Sequence, residues 1–368
     1  MRNTVVLRAS VVLVLGFMVM ACESHGPADR WSVQRATEWY ATRDWPVGCD
    51  YVPAYAGNQF EMWQSATWDP KAIDSELAMA EDLGFNTVRV FLHHGLWEAE
   101  HDAFFAHIDE FLSIADSHGI STLMTLFTNG GSEKRFIGEQ ADPVPGIHNS
   151  LWAQTPGVSI VNDPSRWGLV ESYEKDVLKR FGGDGRIIAW CIYNEPENGA
   201  DCNTLPLLKE VFRWAREADP SQPLTATLIV NPFNRPKYHM KNFPMVTFIC
   251  ENSDVMSFHC YDKAPLVGEF IDLLEPFGRP IFCTEYMARP YGCTFESVLP
   301  VLKDRGVAAY SFGLVNGRTQ LQYEWNRVEN GEKVPFESEP ELWFHDIFRA
   351  DGTPWCEDEI TFIKSITK

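Results

Sequence analysis

Ile187-Ile188-Ala189-Trp190-Cys191-Ile192-Tyr193-Asn194-Glu195-Pro196 is the stretch on which the reading of this 368-residue chain turns. Its seven leading residues are apolar without interruption, with β-branched and aromatic side chains among them. Such a run describes a short strand buried on both faces, as in a parallel sheet. The strand then delivers Asn-Glu-Pro at its carboxyl end, where burial penalises a charge unless something bonds it. A second stretch, Pro280-Ile281-Phe282-Cys283-Thr284-Glu285-Tyr286, repeats the plan and also ends in a glutamate.

Outward from these two, short apolar runs alternate with amphipathic stretches, the order of βα units around a parallel sheet. Strands are expected at Val47–Tyr51, Thr87–Phe91, Ser121–Phe127, Ile187–Tyr193, Leu224–Val230, Val255–His259, Pro280–Glu285 and Val307–Gly313. Helices are expected at Pro70–Leu83, His101–His118, Pro164–Phe181, Leu205–Ala218, Leu266–Phe277 and Phe295–Lys303. In the first of these, Ile73, Leu77, Ala80 and Leu83 form a stripe at helical spacing, with Pro70 at the start and Gly84 after the end. Eight strands without a GxGxxG after the first favour a (β/α)8 TIM barrel over a doubly wound sheet. Residues 45–368 are read as one such domain. Residues 130–163 form a long Gly-, Pro- and Asn-rich connection, a candidate wall for a cleft or a surface excursion. The closing stretch Glu341–Lys368 reads as a last helix, a connector and a terminal helix.

Barrel enzymes place their chemistry at the carboxyl ends of the strands. Glu195 and Glu285, on the fourth and seventh strands, would therefore converge across one mouth. Two carboxyl groups facing a single bond are the equipment of glycoside hydrolysis: one protonates the leaving oxygen and the other attacks the anomeric carbon. Further residues join the pattern: Arg89 in Thr87-Val88-Arg89-Val90-Phe91, His259 and Tyr261 in Ser257-Phe258-His259-Cys260-Tyr261, and Gly84-Phe85-Asn86 before the second strand. Together they resemble the motifs of glycoside hydrolase clan A, the family-5-like cellulases and mannanases, over nearly the whole chain from Trp45 to about Trp325. The resemblance implies retention of configuration, with Glu195 as acid/base and Glu285 as nucleophile. It also implies that Asn194 bonds the sugar 2-hydroxyl, that Tyr261 and Arg89 hold Glu285 ionised, and that His259 lines the same subsite. The clan usually carries Trp at the end of strand eight as a sugar platform. Phe312 stands there instead, in Tyr310-Ser311-Phe312-Gly313-Leu314. Trp97, Trp152 and Trp325 are other candidate platforms, although packing explains most tryptophans.

The rest of the chain bounds the partners. A formal net charge of −20 repels phosphate backbones and argues against nucleic acid. Residues 1–21, with Arg2 and Arg8 ahead of the apolar run Val11–Met20, read as an export signal. Val19-Met20-Ala21-Cys22 resembles a lipobox with Cys22 lipidated, an ordinary cleaved signal being the other option. Residues 22–44 would then be a tether, and the protein a monomer at the cell envelope, touching membrane only through its anchor. The other eight cysteines show no metal-ligand spacing, and a disulfide among loop cysteines such as Cys202 and Cys293 is possible after export. His93 and His94 lack a third ligand at suitable spacing, so no metal and no cofactor are expected. The leading expectation is an enzyme acting on β-linked glycan. A catalytically inactive carbohydrate-binding protein on the same barrel is the alternative, and a metal-dependent barrel hydrolase is a third reading.

Overall fold

A computed structural model describes residues 29–368 apart from 197, 199–201, 230–235, 326, 330 and 331. The elements run α1 Val33–Ala41, β1 Val47–Asp50, α2 Gln59–Trp63, α3 Pro70–Asp82, β2 Thr87–Phe91, α4 His94–Ser117 and β3 Ser121–Thr125. After a long connection come α5 Val158–Val161, α6 Trp167–Phe181, β4 Ile187–Tyr193, α7 Thr204–Ala218, β5 Leu224–Leu228 and α8 Pro236–Asn252. The last part holds β6 Met256–His259, α9 Ala264–Leu274, β7 Ile281–Tyr286, α10 Phe295–Asp304, β8 Ala308–Phe312, a hairpin of β9 Val328–Glu329 and β10 Glu332–Lys333, and α11 Glu357–Thr367.

Strands β1 to β8 pair in chain order, and parallel pairing of β1 with β8 closes the barrel. This is the (β/α)8 fold. Every residue of β4 is buried, because helices cover one face of the sheet while the barrel's own interior fills the other. The interior core joins Leu123, Ala189, Cys191, Phe282, Ala308 and Tyr310. Helix α3 follows its sequence cues: Asp69 caps it by accepting from the Lys71 and Ala72 amides, and Ile73, Leu77 and Ala80 are buried. Gly84 then takes φ +80, a conformation that suits a residue without Cβ.

Three regions depart from the expectations. The stretch read as a tether is folded from Arg30 onward. Arg30 donates to Ser253 O and Cys250 O, and Trp39 stacks on Phe282 at 6.4 Å, so α1 plugs the amino-terminal end of the barrel. No apolar run marked this helix, since only Ala36 of it is buried. In the closing stretch only α11 is helical; residues 341–356 are irregular and bond through their backbone to the connection after β8, as Phe344 N does to Gln322 O and Ile347 N to Leu314 O. Helix α8 carries Pro244 in its interior and has no clean stripe, which hid it in the sequence. Cys22 lies outside the described residues. Cys202 and Cys293 form no disulfide; Cys293 is buried against the Met287 amide.

Candidate active site

The ladders that carry the site slip at their carboxyl ends. Register shifts between Cys191 and Tyr193 on β4, Phe258 and His259 on β6, and Cys283 and Tyr286 on β7. Such irregularities re-aim side chains, here toward the barrel axis. Glu195 follows β4 with φ +48, a left-handed conformation that costs a non-glycine residue some strain.

The result is one connected cluster. An oxygen of Glu195, an oxygen of Glu285 and a ring nitrogen of His259 lie within 4.8 Å of one another. His259 Nδ1 is 2.6 Å from Glu195 Oε1 and 3.3 Å from Glu285 Oε2. Tyr261 donates its hydroxyl to Glu285 Oε2 at 2.6 Å. Arg89 Nη1 reaches Glu285 Oε1 at 3.0 Å and Asp50 Oδ1 at 2.8 Å, while Nη2 bonds Asn194 Oδ1. The Asn194 amide nitrogen donates to Thr128 Oγ1 at 3.0 Å, which leaves its second N–H for a ligand. Glu195, Glu285, Arg89, Asn194, His259 and Tyr261 are thus brought together as expected from the sequence.

Burial sets the protonation. It raises both glutamates above the ordinary carboxylate range. On Glu195 the Asn198 amide and Arg89 oppose it; on Glu285 the Glu195 charge adds to it, while His259, Arg89 and Tyr261 oppose it. Two acids this close titrate as a pair, and one proton shared between them is the economical state. Burial also pushes His259 down to about 3, so the imidazole is neutral, with Nδ1 in hydrogen-bond reach of Glu195 Oε1. The Glu195 side chain keeps 17% of its surface open and Glu285 8%, which leaves the first facing the opening and the second beneath it.

Phe312 stands at the end of β8 opposite Asp50, with its ring 5.3 Å from that of His345. Trp325 comes from the connection after β8 and sits 4.6 Å from Tyr261, edge to face. Trp152 packs on Phe91 at 5.0 Å, and that ring in turn lies under the Arg89 guanidinium at 4.7 Å, whereas Trp97 donates to Asp176 on α6. His93 and His94 are buried latches: His93 Nε2 meets Gln154 O at 3.2 Å, and His94 Nδ1 meets Thr155 Oγ1 at 2.8 Å.

Asp50 and His345 went unread in the sequence. Asp50 ends an apolar strand just as Glu195 does, so the same rule would have found it. Its carboxyl is buried, is pushed well above the usual range by that burial, and leaves Oδ2 without a partner. His345 had no such signal, because the loop that carries it has no pattern.

Glu195, His259 and Glu285 also make up a set of donors able to hold a metal ion. Arg89 already lies on Glu285, and a second cation there would meet its repulsion. The donor set fits a proton relay better than a metal.

No protein-family model and no curated protein sequence matches this chain. Solved structures do. The exo-β-1,4-mannosidase Op5Man5 of Opitutaceae bacterium strain TAV5 aligns with a TM-score of 0.58 at 17% identity, over 88% of this chain and 60% of that one. This chain therefore spans less than two thirds of that protein's length. A GH5_18 structure from Streptomyces cattleya with GlcNAc gives 0.60 at 12% identity, over 88% of this chain and 80% of that one. The hyperthermostable endo-1,4-β-D-mannanase of Thermotoga petrophila gives 0.53 at 16%, over 85% and 100%. These are likenesses of fold.

Proposed function

We propose that the chain is a retaining β-glycoside hydrolase of the clan A, family-5-like type, acting on β-linked glycans with Glu195 as acid/base and Glu285 as nucleophile. One observation carries this reading. Two glutamates from separate strands approach within 4.8 Å at one barrel mouth, the short separation that suits direct attack rather than an interposed water. The fold is shared with solved mannosidases and mannanases, which puts β-mannosides first on any substrate panel.

In the first step Glu285 attacks the anomeric carbon while Glu195 gives its proton to the departing oxygen. Arg89 and Tyr261 hold one oxygen each of Glu285, so the attacking group is oriented and its charge is stabilised before substrate arrives. Once Glu285 is an ester, its charge no longer opposes ionisation of Glu195. Glu195 then takes a proton from water, which attacks the same carbon and frees Glu285. His259, neutral between them, accommodates either charge state by sharing one N–H. Phe312 offers a smaller face than an indole for the sugar to rest on.

The test is direct. Turnover of aryl β-glycosides, with a 2-deoxy-2-fluoro glycoside trapped on the peptide that contains Glu285, is the expected outcome. Label on any other peptide, or activity abolished by a chelator and restored by a divalent ion, would overturn the assignment. Export and lipidation at Cys22 belong to the same proposal. Partition into the membrane fraction that is lost in Cys22→Ser checks the anchor.

A further inference from the structure

We infer that the site removes single sugars from the non-reducing end of short β-linked chains, because two joined loops close the cleft behind the glycone. This rests on the glycosidase reading above and adds to it the mode of cutting. Glu195 must face the leaving oxygen, so the leaving sugar lies toward β4. The glycone then lies over Glu285 and Tyr261, and any further sugar on its far side would extend away from β4, across the rim formed by β8, β1 and β2.

That rim is occupied. The connection after β3 does not stay above its own strand. His93 and His94 latch it to the end of β2, and Gln59 of the β1 connection exchanges two bonds with the Ala153 backbone, at 3.0 and 3.2 Å. It then meets the connection after β8. The Phe336 amide donates to Gly146 O at 3.0 Å, the Asn149 amide to Thr319 O at 2.8 Å, and the Gly146 amide to Gln320 Oε1 at 3.0 Å. The two backbones run so close that a Cβ on Gly146, at φ +72, would stand 2.2 Å from Phe336 O. Only glycine permits this approach.

The inner face of the wall reaches the site itself. His148, from the β3 connection, lies 5.4 Å ring to ring from His345, which is as far from Tyr261, the residue holding Glu285. Trp325 fills the space beside it. Two of these bonds join backbone to backbone and the third joins the Gly146 amide to the Gln320 side chain, so the two connections are tied at three points. A glycan interior cannot pass such a barrier, whereas a chain end can enter from the β4 side.

The experiment uses hexaoses of β-1,4-linked mannose, glucose and xylose, tagged at the reducing end, with product lengths followed from the first few per cent of turnover. The expected result is a tagged pentaose first, then a tetraose, with monosaccharide the sole untagged product. Early tagged mono-, di- or triose with untagged oligosaccharides overturns the inference while leaving the glycosidase reading intact. Failure on every hexaose and every aryl β-monoglycoside overturns the glycosidase reading itself. Gly146→Val, with the milder Gln320→Ala should it misfold, loosens the join. Disaccharide is expected to appear among the first products of either variant, and an unchanged product pattern in both would show that the wall does not set the cutting mode.

Discussion

Arg89 and Arg289 are both buried in this barrel, and they are used in opposite ways. Arg289, at the start of the β7 connection, is saturated. Its Nε and Nη2 grip both oxygens of Glu359 at the head of α11, and Nη1 and Nη2 also donate to Trp343 O, His345 O and Asp346 O. Arg89 is shared and incomplete. It divides its charge between Asp50 and Glu285, its own Nε has no partner, and Asp50 Oδ2 has none either. A saturated ion pair can only break, whereas an undersupplied one holds its carboxylates in reach of two protonation states. The first fits a scaffold, and the second fits the glycosidase site proposed above.

The largest effect that would break this contrast sits at the undersupplied cluster. Glu285→Gln should lower kcat by at least about 10^4-fold on all substrates, as loss of a nucleophile does. It should not lower the stability to denaturant, since burial already disfavours the charge it removes. A clear loss of stability together with residual activity would move Glu285 to the scaffold side. Next comes Glu195. Glu195→Ala should cost roughly 10^2 to 10^4-fold on natural glycosides but much less on aryl substrates with good leaving groups. The wild-type rate should be bell-shaped in pH, falling on the acid side as Glu285 takes a proton and on the alkaline side as Glu195 loses one. Burial raises both groups, so both limbs should lie above the ordinary glutamate range, and Glu195→Gln should remove the alkaline limb. An alkaline limb that survives this substitution would reassign the acid.

Most of the barrel was legible because parallel strands buried on both faces leave uninterrupted apolar runs, such as Ile187–Tyr193. The two glutamates were legible for the same reason: a charge ending such a run stands out. Asp50, which ends β1, carries that signal as well. The wall was not legible. Gly146, Gln320 and Phe336 meet across 174 to 190 positions of chain through backbone atoms and one amide side chain, which leave no periodic pattern. Helix α1 was hidden because it docks through arginines and tryptophans at its margins instead of an apolar stripe.

On the scaffold side, Glu359→Ala leaves the Arg289 charge buried without its carboxylate. The expected loss is about 3–5 kcal/mol of unfolding free energy. Assayed well below the transition, kcat should change less than about tenfold, the equivalent of 1.4 kcal/mol on the barrier. A collapse of kcat in a variant that remains folded would mean that Arg289 serves the reaction, and the division between the two arginines would fail.

The smallest effect sharpens the comparison from within the saturated region. Asp346, whose backbone oxygen Arg289 holds, has a buried carboxyl pushed up to about 7 by that burial, with Oδ1 lacking a partner. An acid whose proton is held more tightly in the folded chain stabilises fully below its unfolded value, near 4. That contribution declines as pH rises and is gone once pH has passed through about 7. Glu76, also raised to about 7, acts in the same direction. The buried His93, His94 and His345, held neutral, act in the other. The comparison of wild type with Asp346→Asn isolates one group among these. The neutral amide mimics the protonated acid, so the two proteins should be alike at or below about pH 4, and the variant should become the more stable as pH rises to 8. Parallel stability curves across that range would show that Asp346 is charged in the folded chain, and that the loop above the site is less dry than its packing implies.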